Sequence, residues 1–539
     1  MSWGMMKGRR DWVVLAGLFV ITLALLWYSK AFEVELGGYT DESAQVVTSL
    51  LIRDYVAQGF PEAPMRYAER YYVHYPRIAF GMWPPLYHTV LAGWLMVSSD
   101  RVWLFLFQAT CGSLLAFLLY RMARSELGEG LAIAAAVALC GSWFIRSSVW
   151  MMMPDIFLGV VVCLASLSLA RFFREGRGAD MLLFGLWAGL SLSTKGNAIA
   201  LAPVPILAMV LLRRWDILRR PVVYGAAGIA GAMGLPWQIL MARLQSGTIP
   251  YDELTVKVML GNLIEYPLGF WVFHGFLLSL AVLAGLVRAV RAAMRNRLSP
   301  GMAVQISLLF GFLLTHAIVT FRPEPRYYSQ VMPALMLVAF SAASYFSRDW
   351  ARAAFAGAVL VSAVLGGGAN NRKDSFGMKE VSEFLRGRPQ LEDSAILVSS
   401  RSLGEATLIG EMAISDKRRP SYWVLRASKT LSTATWYNKD YRLVYRTPEA
   451  LRDFLRTTPI RYVVVDDTPQ NEELPHHRLL KDVLSNSPEW TVISKFPRSQ
   501  ATTIHNANIQ VYEQSAAGKF TGKIRISLEK TLGRSVTAN

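Results

Sequence analysis

Long apolar runs broken by short polar connections fill the chain from about residue 12 to 367. Eleven are legible, near 12–30, 101–121, 129–147, 155–173, 180–194, 197–213, 222–241, 268–288, 302–321, 330–347 and 351–367. Runs of about 17–22 residues suit a helix crossing a hydrocarbon core of roughly 30 Å. The pattern predicts a mostly α, polytopic transmembrane bundle of about 11 helices over residues 1–368. The first run, Trp12 to Tyr28, is followed by no convincing small-residue cleavage site and reads as a retained signal anchor.

The connection after the first run, 31–100, is too long for an ordinary loop and should carry structure of its own. Asp41 to Gln58 has helical spacing, with Val46, Val47, Leu50, Leu51 and Tyr55 on one side, and predicts an amphipathic helix lying in the membrane interface. Leu86 to Val97 is apolar but short, and Pro84-Pro85 opens it as a surface or re-entrant helix.

Past Gly366-Gly367-Gly368 the composition becomes that of a soluble domain, 369–514. Ala395–Ser399 and Tyr462–Asp466 read as buried strands, the second preceded by a helical stretch from Pro448 to Thr457. The alternation predicts an α/β fold. Residues 515–539 read as a disordered tail.

Over half of the chain is apolar and 18% is charged, which sets it apart from soluble enzymes. The net charge of +17 does not mark a nucleic-acid partner. Its arginines gather at alternate ends of the apolar runs (Arg121 and Arg124; Arg171, Arg174 and Arg177; Arg213 and Arg214; Arg288, Arg291 and Arg295), as cytoplasmic loops do. No basic stripe interleaved with aromatics is present on a soluble module. Cys111, Cys140 and Cys163 all fall inside apolar runs, with neither disulfide nor metal spacing. The amino terminus is then inside, and the loops near 31–100, 148–154, 195–196, 242–267 and 322–329 face outward. If the run at 351–367 spans, the soluble domain faces outward too.

These outward loops hold the chemistry. Asp41 and Glu42 lie just past the first helix. Thr40 could cap a helix there and the acids could favour its dipole, but titratable residues recur on the same side. Asp155 follows Met151-Met152-Met153-Pro154 at the next outer turn. Lys195, Arg322 and Arg326 break the outward bias against cations, which an anionic ligand would explain; Glu324 is the plainer partner for either arginine. Tyr87 and His88, in Trp83-Pro-Pro-Leu-Tyr-His, bring aromatic and imidazole groups to the first loop. Asp252, Glu253 and Glu265-Tyr266-Pro267 are further candidates in the 242–267 loop. Ionisable groups at membrane depth usually line a functional cavity.

Taken in order, these segments resemble the GT-C glycosyltransferases that use lipid-phosphate sugars, closest to the protein O-mannosyltransferase and lipid A aminoarabinose transferase branch. The resemblance rests on Tyr39-Thr-Asp-Glu-Ser-Ala, Trp83-Pro-Pro-Leu-Tyr87, Met153-Pro-Asp155, Thr194-Lys195-Gly-Asn and Arg326-Tyr-Tyr, across most of residues 10–345. It implies an inverting transfer from a polyprenyl-phosphate sugar to a lipid, glycan or protein hydroxyl at the outer face of the inner (plasma) membrane. Asp41 would be the general base, with Glu42 and Asp155 orienting it or the substrates. Lys195 and Arg326 would neutralise the departing phosphate, with Arg322, Tyr327, Tyr87 and His88 as further substrate contacts. Some members use a divalent cation; no ligand spacing here assigns one. A flippase or transporter of a lipid-linked anion is the competing reading, and a non-catalytic scaffold the third. The paired helix breaks expected of a transporter are not evident.

Overall fold

The computed structural model of the chain has the two-part division the hydropathy predicts. It describes residues 8–78, 83–245, 255–320, 323–367, 372–389, 391–417, 420–434, 441–458, 460–498, 507–514, 517–518, 525–528 and 534–537. Helix α1 (Arg9–Tyr28) leads into three helices of the long first loop, α2 (Glu42–Ala57), α3 (Pro64–His74) and α4 (Leu86–Leu95). The bundle continues with α5 (Arg101–Leu127), α6 (Glu129–Gly141), α7 (Trp143–Val149), α8 (Asp155–Glu175), α9 (Gly178–Leu192), α10 (Val204–Leu212), α11 (Pro221–Gln245) and α12 (Val256–Met294). It closes with α13 (Pro300–Val319), α14 (Met332–Ser341) and α15 (Asp349–Leu365).

Helical structure stands at each of the eleven predicted runs, but not all of it is long enough to cross a membrane. Among the described residues six helices are (α1, α5, α8, α11, α12 and α13), and α6 with α7 forms a seventh stretch bent by 56°. Packing within the bundle uses small residues. A Cβ on Gly185 of α9 would stand 2.4 Å from the Ala226 carbonyl oxygen of α11, so only glycine permits that approach.

Two expectations are corrected. The outer loop predicted over 242–267 is largely helix: α12 starts at Val256 and runs through Glu265, Tyr266 and Pro267. Around Pro267 the helix is tied to its neighbours, Tyr328 Oη donating to the Tyr266 carbonyl and Asn262 Nδ2 to the Thr320 carbonyl at 2.6 Å. Asp252 and Glu253 lie outside the described residues. Second, α2 is not a one-sided surface helix. It is buried on every side from Glu42 to Leu51, because α4 covers one face and the soluble domain another.

That domain contains α16 (Met378–Arg386), β1 (Ala395–Ser399), α17 (Ser402–Ser415), β2 (Trp423–Arg426), α18 (Ala427–Thr430), β3 (Ser432–Thr433) and β4 (Arg442–Leu443). It goes on through α19 (Pro448–Thr457), β5 (Ile460–Asp466), α20 (Pro475–Ser485), β6 (Thr491–Pro497) and β7 (Asn508–Glu513). One sheet has the order β2-β1-β5-β7-β6. Its β2, β1 and β5 are parallel, with Ile396 opposite Tyr462, and β7 and β6 complete it antiparallel. Every residue of β1 is buried, as a parallel strand covered on both faces requires. In the stretch whose composition suggested a disordered tail, β8 (Arg525–Leu528) pairs antiparallel with β9 (Arg534–Thr537).

The domain docks on the first loop through specific polar contacts. Tyr75 Oη donates to Asp416 Oδ2 at 2.5 Å, and the His74 ring stacks on Trp423 at 3.7 Å with its Nδ1 3.0 Å from the Tyr422 carbonyl. Arg101 of α5 pairs with Glu411 of α17, whose other oxygen accepts the Leu36 N–H at 2.9 Å.

Candidate active site

The site begins where α1 hands the chain to α2. A Cβ on Gly38 would stand 2.4 Å from the Trp150 ring and 2.8 Å from Met151, so glycine lets this loop lie against the turn before α8. The Gly38 N–H donates to Glu42 Oε2 at 2.7 Å. Glu42 Oε1 accepts from the Met152 N–H at 3.0 Å and from Lys373 Nζ at 2.9 Å. Glu42 is fully buried and its carboxylate is occupied by protein donors, so it ties loop to loop instead of facing a substrate. Asp41, not Thr40, is the N-cap residue of α2, and its side chain makes no capping bond. Its carboxylate is about a quarter exposed, with the Arg77 guanidinium 3.8 Å away. Arg77 also donates to the Thr40 carbonyl at 2.5 Å, and burial lowers its pKa to about 10.

Asp155 opens α8, and Gln108 of α5 holds the turn before it by donating to the carbonyls of Met151 (2.6 Å) and Met153 (3.2 Å). Asp155 is buried. Its Oδ1 receives Lys195 Nζ at 2.6 Å, while Oδ2 has no partner among the described residues. Lys195 sits in the turn after α9 and lies 4.9 Å from the Tyr327 ring centre. Burial lowers the pKa of its ammonium, against the pull of Asp155.

The third piece is the 3₁₀ turn Pro325–Gln330. Arg326 Nε donates to Glu324 Oε2 at 2.7 Å, and Nη2 donates to Tyr39 Oη at 3.1 Å. The guanidinium lies 3.9 Å over the Tyr39 ring, and Tyr39 Oη donates in turn to Glu324 at 3.2 Å. Burial pushes the Tyr39 phenol up to about 12, so at neutral pH it is a donor. Tyr39 lies two residues before Asp41, so its ring brings the start of α2 beside the Arg326 guanidinium.

Asp155, Lys195, Arg326 and Tyr327 thus come together from three segments, and Tyr39 on Arg326 brings the segment of Asp41 beside them. Arg322 lies outside the described residues. Tyr87 and His88 are not brought to an open surface: Tyr87 is fully buried, and His88 is buried with Nε2 2.6 Å from Gln45 Oε1, tying α4 to α2. The Pro-Pro-Leu-Tyr element acts through its backbone, the Leu86 N–H donating to the Ser193 carbonyl at 2.9 Å beside Lys195. Tyr39, Arg77 and Lys373 were not anticipated as site residues. Tyr39 adjoins the acidic pair, which was the available signal; the other two are identified only by contacts across long stretches of chain. Among the described residues no group of three or more His, Cys, Asp or Glu side chains could hold a metal ion, and no step is assigned to one.

A model of the family described as dolichyl-phosphate-mannose-protein mannosyltransferase matches residues 83–239, which include Tyr87, Asp155 and Lys195. No curated protein sequence matches the chain. Among solved structures, ArnT from Cupriavidus metallidurans aligns in its apo state at a TM-score of 0.58 and 14% identity, over 95% of this chain and 100% of that one. The same protein bound to undecaprenyl phosphate aligns at 0.58 and 14%, over 95% and 99%. The oligosaccharyltransferase AglB from Archaeoglobus fulgidus, in complex with an inhibitory peptide and a dolichol-phosphate, gives 0.53 and 14%, over 85% and 69%. At such identities the structural likeness establishes the fold. With the family-model match it defines a multi-pass membrane glycosyltransferase. Its fold is that of the GT-C type, and the transporter and scaffold readings give way to a membrane glycosyltransferase.

Proposed function

We propose that the enzyme transfers a sugar from a polyprenyl-phosphate donor to a hydroxyl of a lipid, glycan or protein acceptor, with inversion, at the outer face of the inner membrane. The observation that carries the reading is the convergence of Lys195 and Arg326 around Tyr327, with Arg326 stacked on Tyr39, two residues before Asp41 and its partly exposed carboxylate. Asp41 accepts the proton of the acceptor hydroxyl as its oxygen attacks the anomeric carbon. The bond from that carbon to the phosphate oxygen breaks, and the electron pair leaves with the lipid phosphate. Lys195 and Arg326 stabilise the charge that gathers there. Arg326 offers a planar fork and Lys195 a point charge, the pairing suited to phosphate. The lipid phosphates bound to ArnT and AglB support a donor of this class.

The outward orientation is supported by the far end of the bundle. There Asp11 pairs with Arg121 at 3.0 Å and Arg124 at 2.9 Å, within the arginine-rich side that marks the cytoplasm. The test offers purified enzyme in detergent a panel of radiolabelled polyprenyl-phosphate sugars with total membrane acceptors. Label should move to an acceptor from one donor, with inverted anomeric configuration. Retained configuration in the product would overturn the single-displacement reading.

A further inference from the structure

Lys373 lies in the connection between α15 of the membrane bundle and α16 of the soluble domain. Its side chain reaches Glu42 at the start of α2. Its side chain, like that of Glu42, has no exposed surface, and the two are 2.9 Å apart. The ammonium also lies 4.9 Å from the Phe105 ring centre, and the Lys373 N–H donates to the Ser29 carbonyl at 2.8 Å. Next to it, Ser375 Oγ and the Phe376 N–H both donate to Glu35. The connection therefore runs against residues 29–42 and holds them.

A buried carboxylate needs its counter-charge, and Glu42 spends its remaining lone pairs on Gly38 and Met152. Those two bonds set the loop carrying Tyr39 and Asp41 against the turn carrying Asp155. We propose that Lys373 is a positioning residue for transfer: by fixing Glu42 it fixes the place of Asp41 relative to Asp155, making docking of the soluble domain a condition of catalysis. The inference rests on Asp41 acting as the base.

Its signature is a loss of turnover that exceeds any loss of donor binding, because Glu42 holds Gly38 and Met152 directly, whereas Lys195 and Arg326 keep their own partners Asp155 and Glu324. The full chain in detergent would be compared as Lys373→Met, Glu42→Gln/Lys373→Met and Asp41→Asn. The readouts are turnover, binding of undecaprenyl phosphate and melting temperature. The double variant removes both buried charges, so it should fold even where Lys373→Met leaves Glu42 stranded. Its single amide oxygen cannot replace both carboxylate oxygens. Turnover should therefore stay at least tenfold down, with undecaprenyl phosphate binding within twofold of wild type. A well-folded double variant with wild-type turnover would overturn the proposal while Asp41→Asn remained inactive. A parallel fall in turnover, lipid binding and melting temperature would reduce Lys373 to a general stabiliser and also overturn it. Wild-type turnover by Asp41→Asn would remove the base itself, and the inference with it.

Discussion

Changing Lys195 to Met would strand Asp155. The carboxylate is 3% exposed, its Oδ1 has Lys195 at 2.6 Å, and its Oδ2 has no partner among the described residues. Removing one member of a buried pair costs about 3–5 kcal/mol. Lys195 keeps about a fifth of its side chain exposed, which puts the expected cost near the lower end, about 3 kcal/mol. Lys195→Met/Asp155→Asn removes the stranded charge and should recover most of that loss. Neither variant regains a cation for the lipid phosphate, so both should bind undecaprenyl phosphate at least tenfold more weakly. Thermal unfolding and lipid binding of the two variants in detergent read these effects separately. Unchanged melting of Lys195→Met would refute the buried pair. Wild-type lipid binding by the double variant would refute Lys195 as a phosphate contact.

Two other perturbations probe the supports of the site. Burial holds the His74 imidazole at about 4 against an ordinary 6.5, so between those values the unfolded chain binds more protons than the folded one. Stability should fall as pH drops from about 6.5 to 4, by about 3 kcal/mol from this group; His74→Phe, which keeps a ring against Trp423, should flatten that slope in melting curves, and an unchanged slope would exclude His74. Gly38→Ala would press a methyl into Trp150 and Met151, overpacking worth about 1–3 kcal/mol. It should cut turnover more than tenfold while undecaprenyl phosphate still binds; wild-type turnover would show that the loop tolerates displacement.

The bundle is legible in the sequence because its apolar runs are long, and the soluble domain because its strands follow glycines and helical stretches. What escapes is whatever depends on a distant partner. Asp41 to Gln58 reads as an interfacial amphipathic helix because nothing local announces that α17, some 360 residues later, will cover it. Glu265 to Pro267 reads as part of a loop because a proline often ends a helix; α12 runs through it, packed against Tyr328 and Thr320 from distant segments. The order of short motifs brings Asp41, Asp155, Lys195 and Arg326 into view. It does not separate Asp41, whose carboxylate is partly open, from Glu42, whose carboxylate is closed off by Gly38, Met152 and Lys373. Nor does it show that Tyr87 and His88 pack inward, because aromatic character does not say which way a side chain points.

The central claim is that Asp41 removes the acceptor proton. Once a donor has been found, its turnover by wild type and Asp41→Asn should be compared at saturating donor, alongside undecaprenyl phosphate binding. Asp41→Asn should lose turnover at least a hundredfold, within the range for a lost general base, with lipid binding within twofold of wild type. Near-wild-type turnover by a folded Asp41→Asn would contradict it.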